Sequence, residues 1–393
     1  MSGDVVMNFD AVVIGGGIVG CTAAFYLARQ GQKVAVVEQD KLACGTSSKS
    51  FAWINGTSKT ADEDYHRLNA LGLTGYAELA AEFGEKALGL NPAGSLQIVR
   101  RGDDTNIKAV RDKLDQLQAY GYPSGWVDNH ALRALEPHLS LPDDAEGLFA
   151  MGDMNLDAPK FVHFMAEQVR TLGGTVMEGC AARSLEARDD GQVTGLLTDA
   201  GTMNTETILV AAGPGTPEVL SALTGYDGFA ARFPMRKVPG LLVRSPDTSP
   251  HQLVRRVVYF AGGPELHILP DFNGGLKIGA DDTDGMVEPD SSLDDVKRVA
   301  AILLARAQER LPGFAGPECV DDCTFTIGVR PYPADGHSLA GPLPGAPGLF
   351  VIATHSGITL SPELGRLMAD LIATGRTPDT LQPFTLSRIE GLG

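Results

Sequence analysis

The run Gly15-Gly16-Gly17-Ile18-Val19-Gly20 constrains this chain more than any other stretch. It follows Ala11-Val12-Val13-Ile14, an apolar run of the kind that forms a strand buried on both faces. Residues 21–30 then have helical composition, with Ala23, Ala24, Leu27 and Ala28, and Gly31 supplies a C-terminal stop. Lys33-Val34-Ala35-Val36-Val37-Glu38 predicts a second buried strand. In the spacing Gly15-x-Gly17-x-x-Gly20, the first glycine permits a tight turn and the second a close backbone approach. The third lets helix and strand pack closely. A helix that begins there turns its N–H groups and the positive end of its dipole toward phosphate. Glu38, at the end of the second strand, can accept hydrogen bonds from both hydroxyls of a ribose and repels a 2′-phosphate. The unit predicts a dinucleotide lacking that phosphate, the alternative being a packing turn that holds no ligand.

A second strand–turn–helix lies near the end of the chain. Gly348-Leu349-Phe350-Val351-Ile352-Ala353 reads as a strand and residues 354–360 as a turn. Ser361-Pro362 reads as a helix start with proline in its first position. Leu364, Leu367, Met368, Leu371 and Ile372 then give that helix one apolar face. In between, 160–172 and 293–311 predict helices, and 193–197, 207–212 and 276–280 predict strands. Turn signals are dense over 239–273, as between antiparallel strands.

Composition narrows the function. At 393 residues and 43% hydrophobic, the chain can bury more than one average domain core. Lys plus Arg number 32 against 49 Asp plus Glu, a net charge of −17. Phosphate backbones and anionic membranes repel such a chain, so neither nucleic acid nor a membrane is expected as a partner. No hydrophobic stretch reaches the ~18 uncharged residues of a membrane span. Residues 1–10 carry no basic-then-apolar secretory signal, so a cytoplasmic location is expected. The five cysteines, Cys21, Cys44, Cys180, Cys319 and Cys323, are odd in number and scattered, against a disulfide framework. Cys319 and Cys323 have no second Cys/His pair to complete a zinc set, and no metal is expected.

Asp10-Ala-Val-Val-Ile-Gly-Gly-Gly-Ile-Val-Gly, with Gly45-Thr46-Ser47-Ser48 just after the second strand, resembles the D-amino-acid oxidase superfamily of FAD enzymes. That superfamily includes glycine oxidase and monomeric sarcosine oxidase. Ala211-Ala212-Gly213, Gly328-Val329-Arg330-Pro331, Asp335-Gly336 and His355-Ser356-Gly357-Ile358 followed by Pro362 extend the resemblance along nearly the whole chain. It implies an α/β fold, a Rossmann-like FAD-binding domain with an inserted antiparallel-sheet substrate domain. Residues 1–88, 150–222 and 325–393 are expected in the first, and 89–149 and 223–324 in the second.

The resemblance also implies residue roles. Gly15, Gly17 and Gly20 would face the pyrophosphate of FAD and Glu38 the adenosine ribose. Thr46, Ser47 and Ser48 would follow the phosphates, with a ligand-free helix cap as the alternative. Ala182 would offer backbone to the adenine, Gly213 belongs to the same cradle, and Gly357, Ile358 and Thr359 would approach the flavin pyrimidine edge. Arg330 matches the arginine that holds a substrate carboxylate, a task suited to a planar guanidinium; the alternative is a structural pair with Asp335. Lys277, in Gly275-Leu276-Lys277-Ile278-Gly279, matches a lysine that assists reaction with oxygen, the alternative being an exposed strand lysine. His267 aligns loosely with a substrate-facing tyrosine, or lies at the surface. His355 sits beside the flavin, or braces the turn. Trp53 lines the pocket or packs in the core. The position of a flavin-linking cysteine falls on Gly328, so FAD is expected to be bound non-covalently.

The implied reaction is FAD-dependent oxidation of an amine or amino acid to an imine, hydrolysed to a keto acid or aldehyde, with O2 as acceptor giving H2O2. Two alternatives stay open. One is a dehydrogenase passing electrons to a quinone or electron-transfer protein, the other a flavin-bearing subunit of a hetero-oligomer. Homo-oligomerisation is not decided by the residues.

Overall fold

A computed structural model describes residues 6–224, 233–248 and 252–389. Continuous apolar runs become strands covered on both faces: Ala11–Ile14 is buried throughout, and Val34–Glu38 is buried except at its terminal glutamate. They sit inside a six-stranded sheet in the order Thr175–Glu178, Val34–Glu38, Ala11–Ile14, Ile208–Val210, Leu349–Ala353 and Leu339–Pro342. The first five strands run parallel and the last is antiparallel. Ile14 pairs with both Val37 and Val210, and Val210 with Val351, so the carboxyl ends of four strands line one edge.

Parallel neighbours need crossovers, and helices supply them. Ile18–Arg29 follows the first of these strands and Ala158–Thr171 precedes the outermost. The latter buries Phe161, Val162, Met165, Ala166 and Val169, a helical stripe. Gly357–Thr374 packs on Ile18–Arg29 so closely that a β-carbon on Gly365 would lie 3.1 Å from the backbone nitrogen of Ala23. A four-stranded sheet, Val6–Asn8, Gly201–Asn204, Val193–Thr198 and Ala182–Ala187, completes this part of the chain.

The helix Gly357–Thr374 corrects the expectation of a start at Ser361-Pro362: Pro362 stands inside it. The Thr354 hydroxyl accepts the backbone N–H of Ser356 (3.1 Å) and the Ser338 hydroxyl (2.7 Å), which fixes the turn early enough for Gly357 to begin the helix. A proline in the sixth position forgoes one backbone bond and keeps the φ a helix wants.

By contacts the chain divides into two compact units, Met1–Ser48, Ala158–Val238 and Arg330–Gly393 in one, Lys49–Asp157 and Pro239–Val329 in the other. Residues 49–88, which the sequence places with the cofactor domain, lie in the second unit. Trp53–Ile54 and Leu90–Asn91 both pair antiparallel with Met154–Leu156, and the buried Asp153 accepts hydrogen bonds from Trp53, Gly56 and Thr57. An eight-stranded sheet is ordered Thr324–Pro333, Met235–Arg244, Leu276–Gly279, Leu266–Pro270, Val257–Phe260, Ser95–Arg100, Ala145–Ala150 and Ser124–Val127, and all of it but residues 330–333 and 235–238 is counted in the second unit. The helix Leu293–Arg310, capped by the Ser292 hydroxyl on the N–H of Asp295, lays Val296, Val299, Ala300, Leu303, Leu304 and Ala307 into its core. All five cysteines are unbridged, and Cys319 Sγ lies 3.8 Å from Cys323 Sγ. Among the described residues no helix is long and apolar enough to cross a membrane.

Candidate active site

The glycine turn is built by two glycines for the fold and one for what lies outside it. Gly15 has φ +118°, and a β-carbon there would sit 2.5 Å from the Ala211 carbonyl oxygen. At Gly20 a β-carbon would come within 2.0 Å of the Gly15 carbonyl oxygen, so helix and strand touch backbone to backbone. At Gly17 it would meet Ser47 Oγ at 3.3 Å and otherwise open space. Gly17 is the N-cap of Ile18–Arg29 and brings no capping side chain of its own.

Glu38 braces this turn: Oε2 accepts the N–H of Gly16 at 2.7 Å and Oε1 that of Asp40 at 2.9 Å. Ser47 Oγ accepts the N–H of Ile18 at 3.0 Å, satisfying one open donor of the helix while keeping a proton to give. Thr46 is half-buried beside it, and Ser48 donates its hydroxyl to the Gly45 carbonyl at 3.2 Å. The cap reading of this tripeptide thus has a basis in Ser47, which caps the helix of the glycine turn. The N–H of Cys180 donates to the Glu38 carbonyl and that of Gly179 to Asp40, both at 2.8 Å. These bonds bring the strand that begins at Ala182 alongside the end of Val34–Glu38. The N–H of Ala211 donates to the Ile14 carbonyl, and a β-carbon on Gly213, at φ +55°, would meet nothing within 4 Å. A β-carbon on Gly357 would lie 3.1 Å from Val19 Cγ2, so the N-termini of two helices adjoin. Ile358 and Thr359 follow in the first turn of the second helix, whose N-cap Ser356 makes no side-chain cap bond.

Glu38, the glycine turn, Gly213 and Gly357 follow the carboxyl ends of neighbouring strands of the six-stranded sheet, while Ala182 opens a strand of the four-stranded sheet beside the end of Val34–Glu38. Around this edge stand two adjoining helix N-termini, at Gly17 and Gly357, and the Glu38 carboxylate that braces the glycine turn. The open face at Gly17 is space that a β-carbon would fill. This donor set fits an extended dinucleotide diphosphate.

Arg330 and His355 belong to the same unit. Arg330 and Tyr332 stand two apart on the strand Thr324–Pro333 and so share a face. The Tyr332 ring stacks on His355, centroids 4.3 Å apart and planes 28° apart, and the Arg236 guanidinium lies 5.0 Å from the Tyr332 centroid. Asp335, the alternative partner for Arg330, is held by Arg388 through Nε at 3.0 Å and Nη2 at 3.4 Å. Sequence reasoning misses Tyr332 and Arg236; the period of two from Arg330 is the signal for the first.

Lys277 and His267 belong to the second unit. Lys277 is 2% exposed, which removes the reading of an exposed strand lysine. Its Nζ lies 3.6 Å from Asp271 Oδ1, and Asp271 Oδ2 lies 3.8 Å from Arg244 Nη1. Burial, helped by Arg244 and opposed by Asp271 and Asp157, brings the Lys277 ammonium down to about 8. His267 is mostly buried between Tyr259, 4.5 Å away, and Phe51, 5.9 Å away, measured between ring centroids. Its Nε2 is 3.7 Å from Glu265 Oε1, which accepts the Tyr259 hydroxyl at 2.7 Å. His267 and the Tyr259 hydroxyl hold the Glu265 carboxyl down to about 2 against the effect of burial. Trp53 donates Nε1 to Asp153 at 3.1 Å, and Ser95 and Tyr122 donate to the same carboxylate. Asp153 is fully buried, and burial raises it to about 6 despite those bonds.

A family model described as FAD dependent oxidoreductase matches residues 10–371. Glycine oxidase of Geobacillus kaustophilus is 27% identical over 389 residues, covering 97% of this chain and 97% of that protein. The crystal structure of glycine oxidase from Geobacillus kaustophilus superposes with a TM-score of 0.81 at 25% identity, covering 98% of this chain and 100% of its own. D-amino acid dehydrogenase of Rhizobium johnstonii is 25% identical over 436 residues, covering 96% of this chain and 99% of that protein.

Proposed function

We propose that this chain, which belongs to the FAD dependent oxidoreductase family, oxidises the carbon–nitrogen bond of a small amino acid or amine and passes the electrons to oxygen. FAD is the cofactor of the family and, when bound, supplies the two-electron acceptor. The product is an imine, which water hydrolyses, and the reduced oxygen leaves as hydrogen peroxide.

The chain's own residues take the remaining tasks. The backbone of the glycine turn at Gly17, with the hydroxyl proton of Ser47, would hold the FAD diphosphate, and Glu38 the ribose. The turn at Gly357, Ile358 and Thr359 would direct backbone N–H groups and a helix dipole at the pyrimidine edge. Arg330 would bind a substrate carboxylate with two parallel charge-assisted hydrogen bonds. His355 would be kept in one orientation by the Tyr332 ring stacked on it. His267 would give the pocket polarity, its ring packed by Tyr259 and Phe51. Lys277 would stabilise the negative charge that develops on oxygen, where water cannot screen it. The names of the relatives, glycine oxidase and D-amino acid dehydrogenase, support the substrate class.

The observation that carries the choice of oxygen is the burial of Lys277 with its charge held near balance. A second reading, a dehydrogenase using a quinone or electron-transfer protein, is supported by the D-amino acid dehydrogenase relative. The deciding experiment mixes the purified yellow protein anaerobically with D-amino acids, L-amino acids, N-methyl amino acids and plain amines while the flavin absorbance is followed. Air is then admitted, and reoxidation is compared with that by an artificial acceptor. Bleaching by an amino acid and fast recovery in air are expected. Recovery with the acceptor alone supports the second reading, and no bleaching by any amine overturns both.

A further inference from the structure

We infer that Asp271 and Arg244 are positioning residues that set the fraction of Lys277 carrying a proton, and through it the pH at which the protein passes electrons to oxygen. The second half rests on the oxygen reading proposed above.

The geometry is that of one carboxylate shared by two cations. Asp271 heads the hairpin between Leu266–Pro270 and Leu276–Gly279, its N–H donating to the Gly275 carbonyl at 2.9 Å and its carbonyl accepting from Gly274 at 3.1 Å. Gly274 has φ +90°, and a β-carbon there would strike the Asp247 carboxylate at 2.4 Å, so this turn is built for glycine. The N–H of Phe272 holds Asp271 Oδ1 at 3.0 Å. From this fixed seat Oδ1 reaches Lys277 Nζ at 3.6 Å, and Oδ2 reaches Arg244 Nη1 at 3.8 Å. Oδ2 is buried and accepts no hydrogen bond. Arg244 and Lys277 are direct partners in the strand pairing, which places the two cations side by side.

One carboxylate thus serves two cations, at 3.6 and 3.8 Å, and is drawn fully onto neither. The arginine keeps its charge at any attainable pH, so the like-charge repulsion is relieved by Lys277 losing its proton. The charged groups that act on Lys277 are Asp271 and Asp157, which favour its ammonium, and Arg244, which opposes it alongside burial. With Lys277 poised at about 8, a small change among these groups alters its charge in the neutral range.

The test uses the FAD-loaded protein and needs no knowledge of the substrate. The flavin is reduced photochemically without air and mixed with oxygenated buffer from pH 6 to 10, and the reoxidation rate is recorded. In the same proteins the 13Cε resonance of Lys277, assigned by its loss in Lys277→Met, is titrated. Asp271→Asn is expected to move both midpoints toward acid by roughly one pH unit or more. That lowers the charged fraction, and with it the rate, about fivefold at pH 8. Arg244→Met is expected to move both midpoints the other way, and it carries the test alone if Asp271→Asn does not fold. A Lys277 resonance that titrates unchanged in the variants overturns the inference. If the resonance moves but Lys277→Met reoxidises as fast as wild type at every pH, the charge coupling stands and the oxygen reading fails.

Discussion

Gly17 and Gly20 stand three residues apart in one motif, yet the structure predicts opposite failures for them. A β-carbon on Gly20 would lie 2.0 Å from the Gly15 carbonyl oxygen. The β-carbon would meet backbone there, so strand and helix must separate by about an ångström, at a cost of about 1–3 kcal/mol or more. Gly17→Ala meets only Ser47 Oγ, at 3.3 Å, and Gly17 has φ −84° and ψ −178°, which alanine adopts without strain. The apoprotein should fold and melt within a few degrees of wild type. Its new methyl, however, fills the open side of the helix N-terminus and keeps a phosphate from the N–H groups there. Losing one charge-assisted hydrogen bond costs about 1.5–3 kcal/mol. FAD should then bind roughly 10- to 150-fold more weakly. Titration of apoprotein with FAD, followed by loss of flavin fluorescence, measures the affinity, and far-UV melting of the apoproteins measures the fold. Gly17→Ala binding FAD as tightly as wild type would refute the phosphate cradle. A Gly20→Ala protein as stable as wild type would refute the packing argument.

Arg330→Leu should raise KM for a carboxylate substrate at least about tenfold, since breaking a buried charge pair costs ~2–5 kcal/mol. Steady-state kinetics against an amine lacking the carboxylate gives the control, and an unchanged KM for both substrates removes Arg330 from binding. Asp153 sets a pH effect on stability. Its folded pKa of about 6 lies above the ordinary 3.8 of an aspartate, so the native state holds that proton more tightly. The stabilisation is complete below the unfolded value and is lost as pH rises through the folded one, a loss of ~3 kcal/mol between about pH 4 and pH 6. Urea unfolding of wild type and Asp153→Asn across that window should show the wild type losing this amount relative to the variant; a constant difference would count against it. The opposed shifts of Asp271→Asn and Arg244→Met complete the set.

What is legible in the sequence is local. A strand buried on both faces is a continuous apolar run, a glycine turn has fixed spacing, and Glu38 ends the next run, so strand, helix, strand and their cradle residues can be read within thirty residues. The C-terminal helix is legible as an apolar stripe but not in its start, because the Ser338–Thr354 bond that fixes the turn comes from a residue sixteen positions away. Residues 49–88 read as part of the cofactor domain because strands of two or three residues carry no periodicity. Their partner, Met154–Leu156, is about a hundred residues distant, and its neighbour Asp153 gathers donors from separate stretches of the chain.

The charge state of a buried side chain is the least legible property, and Lys277 shows why. Leu276-Lys277-Ile278 alternates as a strand with one dry and one wet face would, and on that pattern the lysine belongs in water. All four residues of Leu276–Gly279 are instead buried, so the alternation marks two covered faces of different chemistry. Whether a buried lysine carries its proton then depends on what else is inside with it. Asp271 is six residues back along a hairpin, whereas Arg244 reaches Lys277 through strand pairing across more than thirty residues. A motif can name the lysine. The sheet register, which brings a second cation beside it and one carboxylate against both, sets how readily that lysine gives up its proton.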